Sequence, residues 1–149
     1  MKLKRIQRIA FRTVSQTGIH YRWSSLSRST QTPPRDSPQP GDRFPWLHLR
    51  FLENGPVEDS FQKLDDTRFN LIVVGQPAPA ESGFGLDDLL GVFEIPADPV
   101  NNAELERVQI PWPSFYLVRP DGYIGLCGGR LDAGAVKAYV SELLRIATA

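Results

Sequence analysis

The sequence is poor in the residues on which small redox and metal proteins depend. Its 149 residues include one cysteine, Cys127, and two histidines, His20 and His48. A single cysteine excludes an internal disulfide, a Cys-x-x-Cys redox pair and a zinc site built from several thiolates. No apolar run approaches the roughly 18 residues that a membrane-spanning helix needs. The sequence therefore predicts neither a bound metal nor a membrane span.

Acidic residues are missing from the first 35 positions, although the formal net charge of the chain is zero. Those positions hold eight of the 17 basic residues, which leaves nine basic against 17 acidic residues in 36–149. Three hypotheses account for the basic leader: a mitochondrial transit peptide, an arm for nucleic acid or an anionic membrane, or the remnant of a larger protein. We favour the remnant, and we expect no nucleic-acid partner.

Composition divides the chain into three parts. Residues 29–42 are rich in proline, serine and threonine and lack large apolar side chains, which predicts an extended linker. Residues 1–28 form the basic N-terminal segment. Residues 43–149 form one globular domain, which is long enough to bury its own core.

Several short segments predict a sheet. Leu47, Leu49 and Phe51 alternate with polar residues, which indicates a half-buried strand. The apolar run Phe69–Val74 predicts a central strand that is covered on both faces. Further predictions are a short strand or helical turn at 57–64, a loop at 76–85, a turn or two of helix at 86–90, a strand at 91–95, and a helix at 102–108 capped by Asn101 or Asn102.

The C-terminal helix has the clearest pattern. Asp132 is a good N-cap, and Leu131 is placed to pack on Val136. One apolar stripe repeats at helical spacing: Val136, Tyr139, Val140, Leu143, Leu144 and Ala147. Together with the strands before it, this helix predicts an α/β fold, namely a thioredoxin-like α/β sandwich with a mixed sheet, a C-terminal β-hairpin and a closing helix.

The most distinctive stretch is Ser114–Cys127, in which two apolar runs flank Arg119-Pro120-Asp121-Gly122. Pro120 sets a negative φ at the first corner of a turn, Asp121 tolerates the second, and Gly122 supplies a positive φ. The stretch therefore predicts a β-hairpin.

Few groups of residues in the sequence have the spacing of a catalytic, cofactor-binding or metal site. No Gly-x-Gly-x-x-Gly loop follows a predicted strand, so no dinucleotide fingerprint is present. His48 and the pairs Asp65-Asp66 and Asp87-Asp88 are more typical of solvated, turn or capping residues than of a base or a cation site. Cys127 is either a reactive thiol whose pKa is lowered by Arg130, or a small apolar residue in a strand, and we favour the second interpretation.

Pro113 is a candidate cis-proline. It follows Trp112 and directly precedes the strand at Ser114, where thioredoxin-like folds usually carry a cis-proline. A trans proline in a proline-rich approach, with Pro111 nearby, is the alternative, because few X-Pro bonds in folded proteins are cis.

Four segments resemble one family, the phenol-hydroxylase type of FAD-dependent aromatic monooxygenases. The hairpin Leu-Val-Arg-Pro-Asp-Gly-Tyr, which contains Val118, Arg119, Pro120, Asp121, Gly122 and Tyr123, is similar to the closing hairpin of its C-terminal domain. Residues 40–45 and 69–75 resemble the start and the central strand of that domain. Residues 15–26 resemble the end of the middle, substrate-binding domain, which is why we favour a remnant.

The resemblance implies a thioredoxin-like C-terminal domain without redox cysteines. Such a domain packs on the catalytic domains or helps dimerisation, while the domains upstream hold FAD and the phenolic substrate. We therefore expect a non-catalytic domain that binds no cofactor, with FAD only in a partner or parent enzyme. Its partner would be a second copy or a flavin-binding monooxygenase subunit.

Two points stay open at this level. Leu126-Cys127 stands where the family often has tryptophan and arginine, so contacts made by those side chains are not implied here. The alternative function is a single-cysteine thioredoxin-like thiol oxidoreductase that uses Cys127. The expected location is cytoplasmic, or mitochondrial if residues 1–35 act as a transit peptide.

Overall fold

The chain folds around a mixed β-sheet whose two faces are each covered by a cluster of apolar side chains. The computed structural model describes residues 28–30, 34–65, 67–79 and 89–148. Its elements, in chain order, are β1 (Arg28–Ser29), β2 (His48–Arg50), β3 (Val57–Asp59), α1 (Ser60–Lys63), β4 (Phe69–Val74), β5 (Leu90–Ile95), α2 (Pro99–Arg107), β6 (Ser114–Val118), β7 (Ile124–Gly128) and α3 (Ala133–Thr148).

The main sheet has the strand order β1-β7-β6-β4-β5. Strand β4 is parallel to β5 and antiparallel to β6, and β6 forms an antiparallel hairpin with β7. The short strand β1 runs parallel to β7 at the edge. Every residue of β4 is buried, as the apolar run predicted. The α/β class, the mixed sheet, the C-terminal hairpin and the closing helix are therefore confirmed.

Each face of the sheet packs against a different layer. On one face, Leu71 and Val73 of β4 lie in a cluster with Val136 and Leu143 of α3. On the other face, the intervening β4 residues join a second cluster, whose buried members are Phe44, Leu47, Leu49, Phe51, Ile72, Val74, Ile95, Leu105, Ile110, Tyr116, Val118, Ile124 and Cys127. Because side chains alternate along a strand, one apolar run serves both clusters. The result is an α/β sandwich.

Helix α3 begins as its sequence predicted. The Asp132 carboxylate accepts a hydrogen bond from the Ala135 amide at 3.0 Å, and Leu131 packs against the same cluster as the helix. The stripe of Val136, Tyr139, Val140 and Leu143 is buried. The side chains of Leu144 and Ala147 lie outside the described ones.

Helix α2 begins earlier than predicted, so the assignment of Asn101 or Asn102 as its cap is wrong. Asp98 is the N-cap, with its carboxylate 2.8 Å from the Val100 amide, and Pro99 occupies the first turn. Asn101 is instead fully buried within the helix and joins it to β2. Its Oδ1 accepts from the Arg50 amide at 2.8 Å, and its Nδ2 donates to the Arg50 carbonyl at 3.0 Å.

Other segments differ from the pattern in detail. Residues 57–64 contain both alternatives, a short strand and then one helical turn. Leu90 begins β5 rather than ending a helix, while residues 86–88 lie outside the described part. The stretch predicted as a linker contacts the sheet: Ser29 pairs with Cys127, and the Gly41 amide donates to the Ile124 carbonyl at 2.8 Å.

No helix within residues 28–30, 34–65, 67–79 and 89–148 has both the length and the apolar character needed to cross a bilayer.

Candidate functional site

The hairpin turn has the backbone geometry that its residues predict. The Gly122 amide donates to the Arg119 carbonyl at 2.8 Å, which closes a four-residue turn. Gly122 has a φ of +89°, a conformation that glycine adopts without steric cost. The Arg119 amide also donates to the Tyr123 carbonyl at 2.8 Å, so the turn continues directly into the β6–β7 ladder.

The charged residues of the hairpin bind each other. Arg119 is only 5% exposed, and its Nε lies 3.3 Å from Oδ1 of Asp121. The same Asp121 oxygen accepts from the Tyr123 amide at 3.1 Å. Val118 is buried in the core beside them. These side chains therefore hold the hairpin in shape, and their geometry gives them a structural role.

A hollow of about 290 Å³ lies beside the turn, between the hairpin and α1, and we call it the hairpin hollow. The guanidinium carbon of Arg43 lies 5.6 Å from the ring centre of Phe61 and 5.8 Å from that of Tyr123. All three side chains are exposed. The hollow is lined by Arg43, Phe44, Phe61, Leu64, Asp65, Asn70 and Val118 to Gly122.

Sequence reasoning missed this hollow because its residues come from three distant segments. The bridge that pairs Arg43 with Tyr123, together with backbone hydrogen bonds such as that from the Phe44 amide to the Gly122 carbonyl at 2.9 Å, holds the first segment against the hairpin. In the sequence each of these side chains has the pattern of an ordinary surface residue. The one available signal was the resemblance at residues 40–45, which placed no residue in a site.

Cys127 lies in the core. The side chain is 1% exposed and stands opposite Tyr116 on the neighbouring strand. Burial raises the pKa of the thiol to about 11, and the nearby Asp42 carboxylate acts in the same direction. This direction is opposite to the lowering by Arg130 on which the alternative interpretation, a reactive thiol, depends. A protonated, buried thiol is a poor nucleophile at neutral pH, which favours the structural interpretation of Cys127.

At the opposite end of β6, the chain turns tightly around Trp112. The peptide bond between Trp112 and Pro113 is cis. Gly75, which has a φ of +71°, lies directly against the indole: a Cβ there would be 2.7 Å from the ring. Gly75 therefore allows β4 to end beneath Trp112.

One amide side chain joins the strand ends at this side of the sheet. The side-chain amide nitrogen of Gln76, Nε2, donates to the Ser114 carbonyl at 3.1 Å and to the Gly129 carbonyl at 2.7 Å. Its Oε1 accepts from the Leu131 amide at 2.8 Å. Gln76 thus connects the ends of β4 and β7 with the start of β6 and the approach to α3.

An open groove of about 660 Å³ lies next to Trp112. Its floor includes the buried Leu105 and Ile110, and its rim includes the exposed Glu106 and Gln109. Gln109 directly follows Val108, the C-cap of helix α2, and has a φ of +60°, while the Ile110 amide donates back to the Leu105 carbonyl at 2.9 Å. The position after a helix C-cap is one at which glycine is common.

The remaining candidates carry little chemistry. His48 is exposed and stacks edge-on against Trp46, with ring centres 4.5 Å apart. Asp65 accepts hydrogen bonds from the amide and hydroxyl of Thr67. Asp66, Asp87 and Asp88 lie outside the described residues. Within the described ranges, no group of three or more histidine, cysteine, aspartate or glutamate side chains is arranged to hold a metal ion.

The fold of this chain is similar to parts of solved flavin enzymes, and at these sequence identities the likeness shows the fold alone. One of them is aklavinone-11 hydroxylase, solved as a ternary complex with FAD and aklavinone. The two structures match with a TM-score of 0.55 and 24% sequence identity over 73% of this chain. This chain covers only 22% of aklavinone-11 hydroxylase.

A second structure with the same kind of match is the flavin-dependent monooxygenase PieE, solved with FAD and substrate. It has a TM-score of 0.49 and 19% identity over 76% of this chain and 21% of its own. No protein-family model matches the sequence, and no curated protein matches it significantly.

Proposed function

We propose that this chain is a non-catalytic, thioredoxin-like domain of the kind found at the C-terminus of FAD-dependent aromatic hydroxylases. It acts through association, either with a second copy or with a flavin-binding subunit. The proposal rests on the structural match to aklavinone-11 hydroxylase. The match covers 73% of this chain but only 22% of that enzyme. The hairpin motif identified in the sequence supports it independently.

The order of strands supports the thioredoxin-like assignment. The four strands β7-β6-β4-β5 contain one parallel pair and one terminal hairpin, followed by helix α3. The end of β4 meets the hairpin at Gln76, whose side-chain amide bonds to the carbonyls of Ser114 and Gly129. Because Cys127 is buried, the alternative function as a thiol oxidoreductase has no support in the geometry.

The helix N-termini support the proposal that this chain itself binds no FAD. Helix N-termini attract phosphate because their first amides are unpaired. In the described part of the chain, α1, α2 and α3 each begin with an aspartate whose carboxylate accepts from one of those amides: Asp59 from Phe61, Asp98 from Val100 and Asp132 from Ala135. A diphosphate would meet a negative charge at each position.

Flavin uptake tests the proposal. We expect the purified protein to be colourless and to take up no FAD in equilibrium dialysis. Sedimentation of the same protein over a range of concentrations measures self-association. A yellow protein with stoichiometric flavin would overturn the proposal.

A cytoplasmic location is part of the same proposal, with a mitochondrial address in residues 1–35 as the alternative. Mass spectrometry of the mature N-terminus distinguishes the two.

A further inference from the structure

The hairpin hollow combines exposed aromatic rings with an ordered arginine. Phe61 is 48% exposed and Tyr123 is 38% exposed, although both are large and apolar. The Arg43 guanidinium lies within 6 Å of both ring centres, a distance at which cation–π attraction holds it in place. The same group lies over Gly122, 3.6 Å from the position of a Cβ there. The side chain of Arg43 is therefore positioned while it remains accessible to solvent.

The charge of Arg43 is not neutralised by its neighbours. Of the carboxylates that line the hollow, Asp121 pairs with Arg119 at 3.3 Å and Asp65 pairs with Arg68 at 3.6 Å. The adjacent Asp42 accepts a hydrogen bond from the Gln39 amide instead. Among residues 28–30, 34–65, 67–79 and 89–148, no carboxylate forms an ion pair with Arg43. The guanidinium of the exposed Arg43 is thus accessible to an acceptor that can form two hydrogen bonds with it.

The size of the hollow selects a kind of ligand. Its volume of about 290 Å³ is at the lower limit of small-molecule pockets, which is enough for one side chain but small for a nucleotide cofactor. Tyrosine and arginine are enriched among the residues that dominate binding energy at protein interfaces. Residues 36–149 carry 17 acidic and nine basic residues, and the second arginine that lines the hollow, Arg119, is paired with Asp121. A single arginine without an ion pair on an acidic domain orients a partner more than it attracts polyanions.

We propose that the hairpin hollow is a docking site for a protein partner, in which a carboxylate side chain of the partner pairs with Arg43 between Phe61 and Tyr123. An apolar side chain next to that carboxylate covers the exposed rings. This inference goes beyond the proposed function, because it holds whether or not the partner carries a flavin.

An NMR titration of the full 149-residue chain tests the site with a defined probe. The probe is the peptide acetyl-Gly-Leu-Glu-Phe-Gly-amide. The control is the same peptide with glutamine in place of the glutamate. We expect saturable shifts of the Arg43 side-chain N–H and of the Gly122 and Tyr123 amides with the acidic peptide. The glutamine peptide should bind at least about tenfold more weakly, because it loses the charge-assisted hydrogen bonds.

Two variants complete the test. Arg43→Gln should weaken the acidic peptide about tenfold, whereas Arg35→Gln, a change at another exposed arginine, should leave its affinity unchanged. The amide spectrum of each variant shows whether it is folded. Four results would each overturn the proposal. They are an equal affinity for both peptides, an unchanged affinity of the Arg43→Gln protein for the acidic peptide, shifts that sodium acetate alone reproduces, and the lack of any saturable shift. No flavin is present, so failure here leaves the test of flavin uptake unaffected.

Discussion

The two ends of the main sheet differ in how they are closed. At one end, the β6–β7 turn presents Arg119 and Asp121 as an internal ion pair, next to the open hairpin hollow. At the other end, the strands terminate under Trp112 and are joined by the amide of Gln76. The first end has two exposed rings and an arginine, Arg43, without an ion pair, while the second has one exposed ring, Trp112, and is tied by neutral hydrogen bonds. Within the described residues, recognition is therefore favoured at the hairpin end.

Each end of the sheet has a glycine with a positive φ, Gly75 at one end and Gly122 at the other, and we expect the two to differ most in the cost of a substitution. Gly75→Ala should destabilise the protein by roughly 2–5 kcal/mol, because the left-handed backbone penalises a Cβ and the Cβ would overlap the Trp112 ring. Gly122→Ala is the matched control, since its Cβ would meet only ordinary contact with Arg43. It should cost about 1–2 kcal/mol. Urea denaturation measures both, and equal costs would refute the packing argument.

The role of Gln76 in tying the strand ends is tested by removing its amide. Gln76→Leu keeps the approximate volume but removes three hydrogen bonds, so we expect a loss of about 2–4 kcal/mol in unfolding free energy. The control is Gln62→Leu, at an exposed position of α1. A Gln76→Leu protein as stable as this control would show that the strand ends are held by packing alone.

Cys127 allows a test in alkaline solution. Burial raises the pKa of its thiol in the folded state to about 11 from an ordinary value of 9.0, so the unfolded state loses its proton first. The contribution to stability is full below pH 9 and is lost as the pH rises through 11. Between pH 8 and pH 10 this amounts to about 1 kcal/mol.

The Cys127→Ala variant isolates that contribution from the tyrosines. Its unfolding free energy should fall less between pH 8 and pH 10 than that of the unmodified protein. In parallel, the native thiol should react with a disulfide reagent only at the rate of unfolding. Rapid modification of the folded protein at neutral pH would contradict the burial of this side chain.

The smallest effect is expected at the rim of the groove beside Trp112. Gln109→Gly should stabilise the protein by about 0.5–1 kcal/mol, because glycine adopts the observed φ of +60° without steric cost. The neighbouring Glu106→Gly, inside helix α2, should destabilise it by about the same amount. Thermal unfolding of the two variants should therefore give shifts of opposite sign.

The sequence predicted those parts of the fold whose signals are local. The apolar run of β4, the turn at Pro120 and Gly122, and the stripe of α3 each carry their own pattern. The sequence pattern placed the start of α2 too late, because asparagine is common at helix N-caps. Asn101 instead lies inside the helix and forms a buried contact with β2. The hairpin hollow was missed for a related reason, since no local pattern relates Arg43 to Tyr123.

The buried contact of Asn101 also affects how the protein behaves in a crowded solution. Within the part of the chain that the structure describes, strand β2 pairs with β3 on one side only. Its outward amides at His48 and Arg50 donate to the side chains of Glu104 and Asn101 of α2. A bare strand edge offers a template on which another chain can add. By occupying that edge with two side chains, the helix protects the small sheet from aggregation.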